Sequence, residues 1–317
     1  MQTRRLGAAG CEVSRLSLGS WRTYERITRD EGLAVMAAAR DAGITFLDDA
    51  RYNDETGTAP IPTGYSEVVF GELFRATGWR REDTIVSNKL WWEFWPDQTP
   101  AEELDASLGR MGFDHVDLIY TEQPPAGMSL AEFVACVTAL IAAGQALYWG
   151  VLNWPAALVQ RASEVARSEG LPPMIANQLA YSIVDRSPVE DVDMVAAMRA
   201  AGASVVASFV LAGGVLSGKY DRDPNGGRAA GTLDQPRVAR AAEAARELAE
   251  LARQLNADTA TLAIAFALLD DSVATVLFGA TRPDQVDRNV AAIDLADRLD
   301  AGAIERLRSI GDSGSPA

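Results

Sequence analysis

The chain has 317 residues and is acidic, with 44 Asp and Glu residues against 29 Lys and Arg residues and a net charge of −15. This charge argues against a nucleic-acid or acidic-membrane partner, because both need a positive surface. One histidine, His115, and two cysteines give little basis for a Ser-His-Asp triad, a metal site or a disulfide scaffold. Neither a secretory signal nor a long uncharged apolar stretch is visible, which predicts a soluble, cytoplasmic protein.

Short β-rich apolar runs alternate with amphipathic helical segments along the chain. The predicted strands are Leu16–Trp21, Thr45–Asp48, Thr84–Lys89, Val116–Thr121, Leu147–Leu152, Ile175–Leu179, Ser204–Val210 and Thr275–Phe278. Several of the helical segments end in Gly after a charged last turn, which is typical of a helix C-terminus. Eight strands, seven intervening helices and a final helix pair predict an α/β protein with the (β/α)8 TIM-barrel fold. The count of eight disfavours the alternative, a doubly wound sheet.

Three segments lie outside this alternation. Residues 3–19, TRRLGAAGCEVSRLSLG, predict a β-hairpin that closes the barrel floor. The insertions Tyr52–Gly64 and Asp221–Pro236 are polar and rich in Gly or Pro, and long loops after barrel strands often carry function. No linker separates a second domain, so we predict one domain over residues 1–317, with residues 311–317 as a flexible tail.

Ionisable residues lie at the ends of three successive predicted strands: Asp48, Lys89 and Glu122. The carboxyl ends of the strands form the active site in barrels of this kind. Two carboxylates near a lysine can also shift one another's pKa. Each residue alone could be one half of a structural ion pair, but the three together at successive strand ends favour a catalytic role.

The segment Gly213–Lys219 matches the phosphate-loop pattern GxxxxGK. The next residue is Tyr220, so the Ser or Thr that would bind Mg²⁺ is missing and a nucleotide hydrolase is disfavoured. The glycines and the lysine could still bind a phosphate from a barrel loop.

Several motifs match one known family in both order and spacing. They are LGSW at 18–21, GITFLDDA at 43–50, SEVVFG at 66–71, SNK at 87–89, QALYWG at 145–150, NQLAYS at 177–182, LAGGVLSGKY at 211–220 and FGATRPDQVDRN at 278–289. Over residues 3–310 the chain resembles the aldo-keto reductases, most of all the branch that contains the β subunits of voltage-gated potassium channels. The resemblance implies NADPH-dependent hydride transfer at the barrel mouth without a Rossmann domain, and the chain has no GxGxxG motif.

In that family a tyrosine protonates the substrate oxygen, a lysine lowers the phenol's pKa, a carboxylate holds the lysine, and a histidine orients the substrate. The resemblance assigns the carboxylate to Asp48 and the lysine to Lys89. The tyrosine position falls on Asn53, with Tyr52 one residue earlier in a loop that is longer than usual. Tyr52 is the first candidate acid and Tyr65 the second, and a third possibility is that no phenol reaches the site.

The histidine position falls on Glu122, as it does in the steroid double-bond reductases of the superfamily. A protonated glutamate there would donate a hydrogen bond and leave room for an enone to slide deeper, so that hydride reaches the β-carbon. If no tyrosine reaches the site, a neutral Glu122 could itself be the acid. The protonation of Glu122 is coupled to the protonation of Lys89 and Asp48.

The resemblance also implies an NADP(H) site along the strand ends. Its residues are Gly19, Ser20 and Trp21 at the nicotinamide ribose, together with Asp48; Asn153 and Gln178 at the carboxamide; Ser208, Phe209, Val210 and Leu211 along the nicotinamide and pyrophosphate; Lys219 and Arg228 at the phosphates; and Gly279, Thr281, Gln285 and Asn289 at the adenosine. The family's stacking aromatic falls on Ser208, with Phe209 next to it. Arg282 is a candidate for the 2′-phosphate, and the alternative is a solvated residue at a helix start.

Aromatic residues follow Lys89 directly, in the segment WWEFW at 91–95. Trp91 and Trp92, with Trp21 and Tyr65, are predicted to line a pocket for a flat or apolar substrate; the alternative for the tryptophans is a subunit contact. The predicted function is therefore NADPH-dependent reduction of a carbonyl or an activated C=C bond in a bulky or aromatic small molecule. The alternative is a cofactor-holding regulatory partner protein with slow catalysis. A homo-oligomer is compatible with either.

Overall fold

Eight parallel strands close into a barrel in the computed structural model, which describes residues 1–221, 223–225 and 229–312. The barrel strands are β3 (Leu16–Gly19), β4 (Phe46–Asp48), β5 (Ile85–Leu90), β6 (Val116–Thr121), β7 (Ala146–Leu152), β8 (Ala176–Ala180), β9 (Ser204–Ser208) and β10 (Val273–Phe278). They follow one another around the barrel in chain order, and β10 closes it by pairing with both β9 and β3. Each of the eight predicted strands overlaps an observed one, so the predicted fold is confirmed.

Helices surround this barrel. They are α1 (Arg29–Asp41), α2 (Tyr65–Ala76), α3 (Pro100–Met111), α4 (Leu130–Ala142), α5 (Ala156–Ser168), α6 (Ser187–Glu190), α7 (Val192–Ala201), α8 (Pro236–Gln254), α9 (Thr259–Leu268), α10 (Pro283–Arg298) and α11 (Ala301–Asp312). A reciprocal capping box between Thr99 and Glu102 begins α3, and this fixes where the aromatic loop after β5 ends. Among the described residues, no helix is long and apolar enough to span a bilayer.

The N-terminal hairpin closes the barrel floor, as predicted. Its strands β1 (Thr3–Arg5) and β2 (Glu12–Ser14) pair antiparallel. Leu6 and Val13 of the hairpin belong to one buried cluster with Phe46 and Leu118 of the barrel strands. The turn of the hairpin is also tied to the start of β9, because the Gly7 N–H donates to the Ser204 hydroxyl at 2.9 Å.

The two predicted insertions differ in what can be described. The loop 52–64 is closed by an antiparallel bridge between Asn53 and Thr63. The second insertion contains residues 222 and 226–228, which lie outside the described residues, and α8 begins at its end. At the C-terminus α11 continues to Asp312, so the predicted tail begins within a helix, and residues 313–317 lie outside the described residues.

Candidate active site

A buried lysine joins two of the predicted site residues at the carboxyl ends of β4 and β5. The Lys89 ammonium donates to Asp48 Oδ2 at 2.6 Å and to the Tyr52 hydroxyl oxygen at 3.1 Å. Asp48 and Lys89 are only 2% and 4% exposed. The three residues therefore form a continuous Asp48–Lys89–Tyr52 relay whose phenol end is the part nearest solvent.

Two further side chains fix the Asp48 carboxylate. Its Oδ1 accepts from the Ser87 hydroxyl at 2.7 Å and from the Gln178 amide at 3.2 Å. Ser87 and Lys89 are two residues apart on β5, and alternate residues of a strand share one face. Both therefore point towards the same carboxylate.

The charges of the relay follow from burial and pairing. Burial lowers the pKa of Lys89, but the Asp48 carboxylate and the Tyr52 phenol outweigh it, and the net pKa lies above its ordinary value. Burial raises the pKa of Tyr52, and the neighbouring Lys89 cation opposes that rise. At neutral pH the relay thus consists of a cationic lysine and a phenol that still carries its proton, which is the form that a general acid requires.

A tight turn brings Tyr52 to the lysine. The Tyr52 N–H donates to the Ala50 carbonyl at 2.9 Å, directly after β4, and the Tyr52 carbonyl accepts from Gly64 at 2.8 Å. Asn53, which occupies the family's tyrosine position, is exposed. Tyr65 lies in the first turn of α2, where its hydroxyl hydrogen-bonds with Arg29 at 3.1 Å. The structure thus brings Tyr52, and not Tyr65, to Lys89.

Glu122 follows β6 and is exposed at the barrel mouth. Its N–H donates to the Leu90 carbonyl at 3.3 Å, which holds its backbone beside the end of β5. Burial of part of the side chain raises the pKa of its carboxyl group, and the charge of Glu103 raises it further. Within the described residues, the two side-chain acceptors of Lys89 are Asp48 and Tyr52, so Glu122 does not pair with the lysine.

The two tryptophans after β5 have different roles. Trp91 is partly exposed and packs against the Tyr52 ring with their centroids 6.1 Å apart. Trp92 is only 7% exposed, and its indole N–H donates to the Thr121 hydroxyl at 2.7 Å. It also packs on Phe133 of α4 with a centroid separation of 5.0 Å. Trp92 was predicted to line a substrate pocket, and the structure places its ring in the hydrophobic core.

A fully buried carboxyl group lies directly behind the relay. Asp49 Oδ1 accepts from the Ser20 hydroxyl, while Oδ2 has no hydrogen-bond partner within the part of the chain that the structure describes. Burial raises the pKa of Asp49 well above its ordinary value, and the buried Glu67 raises it further. Burial and the charge of Glu67 thus favour the protonated form of Asp49.

A cleft of about 200 Å³ opens between the end of β3, the end of β9 and the start of α8. Trp21 and Phe209 line it and are exposed by 37% and 44%, which is high for large aromatic side chains. The hydroxyl of Ser208 instead donates to the Leu179 carbonyl at 3.1 Å, within the sheet. The aromatic face at this edge of the cleft is therefore that of Phe209.

The loop after β9 gives the cleft a backbone wall. Gly213, which lines the cleft, and Gly214 have φ angles of +70° and +90°, a region that favours glycine. A Cβ on Gly214 would lie 3.2 Å from the Lys219 ammonium nitrogen, so the lysine lies close against the loop. A flat aromatic surface, a glycine-lined backbone and a lysine together fit a dinucleotide with its phosphates.

The remaining predicted cofactor residues occupy varied environments. Asn153 connects β7 to β8, because its N–H donates to the Gln178 carbonyl at 2.9 Å. Gln285 accepts from the Thr281 N–H at 2.7 Å and caps α10. Arg282 is exposed and paired with Asp284 at 2.9 Å, which matches the alternative of a helix-start residue. Other predicted positions are Gly19 and Ser20, buried; Val210 and Asn289, buried; Leu211, half-buried; Gly279, exposed; and Arg228, outside the described residues.

Comparison with known proteins agrees with this geometry. The family model described as "Aldo/keto reductase family" matches residues 15–312. The chain belongs to the aldo/keto reductase family. Enzymes of this family are nicotinamide-dependent oxidoreductases, and their barrels carry the chemistry at the strand ends.

Two relatives cover almost the whole chain. A protein of Oryza sativa subsp. japonica, named a probable voltage-gated potassium channel subunit beta, is 31% identical over 328 residues, which span 98% of this chain and 96% of that protein. A protein of Schizosaccharomyces pombe, provisionally given the same subunit name, is 30% identical over 326 residues, which span 97% of this chain and 92% of that protein. The sequence similarity to both relatives therefore extends over the whole barrel of this chain.

Charged residues that the sequence analysis did not single out hold the loop 52–64 in place. At its tip, Glu55 pairs with Arg22 at 2.5 Å and with Arg26 at 2.8 Å. At its root, Arg51 pairs with Glu93 at 2.8 Å. The signal in the sequence was weak: Arg51 lies between two site residues in DDARY, but nothing in the sequence showed that it is buried.

Proposed function

We propose that this aldo/keto reductase is an NADPH-dependent enzyme that reduces a carbonyl group, or an enone C=C bond, of a bulky or aromatic small molecule. The observation that carries the proposal is the relay, in which the Tyr52 phenol is 3.1 Å from the Lys89 ammonium. A lysine buried between a carboxylate and a phenol, with a perturbed pKa, is typical of a catalytic site.

In this proposal Tyr52 is the general acid. Bound NADPH would supply the hydride, and Trp21, Phe209, Gln178 and Lys219 are the residues that would hold it. The Tyr52 O–H donates its proton to the substrate oxygen as negative charge develops there. The Lys89 cation stabilises the phenolate that remains, and Asp48 keeps the lysine charged and directed at the phenol.

The substrate class follows from the side chains around the phenol. Trp91 beside Tyr52 and Trp21 at the cleft give two aromatic surfaces that suit a flat or bulky apolar molecule. Glu122 at the mouth is the residue that would decide between carbonyl and C=C reduction. Its carboxyl group is smaller than an imidazole and its raised pKa favours the hydrogen-bond-donating form.

The second candidate is a regulatory subunit that binds a cofactor and turns it over slowly. It is favoured by the names of the two relatives, both of which refer to a voltage-gated potassium channel subunit beta. A reductase and a regulatory subunit would both bind the cofactor in the same cleft, but they would differ in the rate at which the cofactor is oxidised.

The test combines a binding and a turnover measurement on the full chain. Fluorescence titration should show tighter binding of NADPH than of NADH, because the resemblance to the aldo/keto reductases implies NADPH and Lys219 would add positive charge near its phosphates. Oxidation of the bound NADPH by a panel of aldehydes, quinones and enones should then show saturable turnover with at least one class. Tight NADPH binding without turnover would support the regulatory subunit, and the absence of nucleotide binding would contradict both candidates.

A further inference from the structure

Arg51 is a buried arginine one residue before the proposed acid. Its side chain is only 6% exposed, although arginine is almost never fully buried without a partner. Its guanidinium contacts residues from three separate segments: Nη1 faces one of them, and Nη2 faces the other two.

Two of these segments are the loops that follow the neighbouring strands β4 and β5 at the barrel mouth. Arg51 Nη1 donates to the Thr63 hydroxyl at 3.1 Å, at the far end of the loop 52–64. Arg51 Nη2 pairs with Glu93 at 2.8 Å, and the guanidinium lies 5.4 Å from the centre of the Phe94 ring. Both of these partners belong to the aromatic loop, residues 91–99, that follows Lys89. Arg51 thus joins the loop that carries Tyr52 to the loop that carries Trp91.

The third segment is the first turn of α3. Glu103 lies 3.6 Å from Arg51 and is itself only 6% exposed. The two oxygens of Glu103 accept the backbone N–H groups of Trp91 at 2.9 Å and Trp92 at 3.2 Å. The positive charge of Arg51 therefore balances the carboxylate that fixes the backbone just after the catalytic lysine.

These contacts surround the phenol. The backbone of Tyr52 is fixed by Arg51 on its N-terminal side and by the hydrogen bond from Gly64 to its carbonyl. The ring of Tyr52 packs on Trp91, whose backbone is held through Glu103. A shift of either loop would therefore change the distance between the phenol and the Lys89 ammonium.

We propose that Arg51 is a positioning residue that clamps the loop 52–64 to the aromatic loop and so holds the Tyr52 phenol at Lys89. The proposal rests on the proposed reductase function. The planar guanidinium is needed because it reaches Glu93, Glu103 and Thr63 at once. A lysine ammonium keeps the charge but cannot provide that fork.

The experiment is a double-mutant cycle on the full chain with Arg51→Lys and Tyr52→Phe. A misplacement of about 1 Å can cost about 10²-fold in rate, so Arg51→Lys should lower kcat by one to two orders of magnitude. In the Tyr52→Phe background, Arg51→Lys should lower kcat no further, because the hydroxyl that Arg51 positions is already absent. NADPH affinity should stay within a few-fold, since the cofactor cleft is lined by other residues. Additive losses in the cycle would overturn the proposal.

The matched control is Arg81→Lys. Arg81 is also paired with a buried carboxylate, Asp117 at 2.6 Å, but it precedes β5 and lies at the opposite end of that strand from Lys89. This variant should lose stability and keep its kcat. A fall in kcat equal to that of Arg51→Lys would mean that arginine loss acts through general destabilisation, which contradicts the clamp.

A readout without turnover separates the two proposals. The amides of Asp54 and Gly64 are hydrogen-bonded inside the loop, to the carbonyls of Pro62 and Tyr52. Arg51→Lys should accelerate hydrogen exchange in residues 52–64 and leave exchange in the floor hairpin unchanged. Faster exchange in the Arg51→Lys variant, together with a wild-type protein that shows no turnover, would refute the function and keep the clamp. Unchanged exchange would refute the clamp whatever the activity.

Discussion

Replacing Tyr52 by Phe removes the hydroxyl that would protonate the substrate and leaves the ring that packs against Trp91. The Lys89 ammonium loses its 3.1 Å contact with the phenol and keeps its 2.6 Å contact with Asp48. A hydrogen bond to a charged group contributes about 1.5–3 kcal/mol, so the variant should fold with a modest loss of stability. Its NADPH affinity should stay within a few-fold, because the cleft is lined by Trp21 and Phe209.

The effect on rate should be much larger than the effect on folding. Loss of general acid catalysis costs about 10²–10⁴ in rate, which corresponds to roughly 3–5 kcal/mol of activation free energy. The assay is the steady-state loss of absorbance of reduced nicotinamide with the best substrate of the panel. Tyr65→Phe is the control, because the Tyr65 hydroxyl contacts Arg29 in the first turn of α2 and not Lys89.

The kcat values of the two variants decide whether Tyr52 is the general acid. We expect Tyr52→Phe to lose at least two orders of magnitude in kcat and Tyr65→Phe to match the wild type. A Tyr52→Phe variant that keeps more than about a third of the wild-type kcat would refute Tyr52 as the acid. Glu122 would then become the candidate, since burial raises the pKa of its carboxyl group.

Three further predictions concern the groups around the phenol. Lys89→Met should abolish turnover and leave NADPH affinity within a few-fold, and an active variant in the same absorbance assay would show that the relay is structural. Glu122→His should shift an enone from C=C towards carbonyl reduction, because an imidazole holds the substrate oxygen further out; an unchanged product ratio by NMR would exclude a role in regiochemistry. Asp49→Asn should raise the melting temperature at pH 7. The Asp49 carboxyl group ionises above about pH 3.9 in the unfolded protein, whereas its raised pKa opposes ionisation in the folded protein, so folding becomes less favourable above that pH. An asparagine does not ionise and avoids this loss. Thermal unfolding curves should show no difference in melting temperature between the variant and the wild type below about pH 3.9. Equal melting temperatures at pH 7 would mean that the pKa of Asp49 is not raised in the folded protein.

The sequence predicted the scaffold well because a barrel repeats one simple pattern. Buried strands are continuous apolar runs, and Asp48 and Lys89 are found because each interrupts such a run at its carboxyl end. The floor hairpin was predicted from its turn glycines and confirmed. These features depend on neighbours in sequence, so a single chain reveals them.

Two aromatic residues show where sequence reasoning stops. Trp92 and Phe209 have φ angles of +59° and +56°, a backbone region that residues other than glycine rarely adopt. In that conformation a side chain no longer follows the alternation of the preceding strand. Trp92 consequently lies in the core, and Phe209, not Ser208, lines the cleft. Tyr52 was one of several candidates because its direction depends on Arg51 and Thr63, whose contacts arise only in the folded loop.

The loop 52–64 is held by ion pairs of two kinds, and dissolved salt should distinguish them. At its tip, Glu55 and its partners Arg22 and Arg26 are each roughly one-third exposed or more, so mobile ions can screen their attraction. At its root, Arg51 and Glu103 are shielded from solvent and from its ions, although Glu93, the closer partner of Arg51, is 45% exposed. Rising ionic strength should therefore loosen the tip of the loop 52–64. The distance between the Tyr52 phenol and the Lys89 ammonium should stay constant. A protein built in this way can change how readily it admits a molecule without changing how it reacts with it.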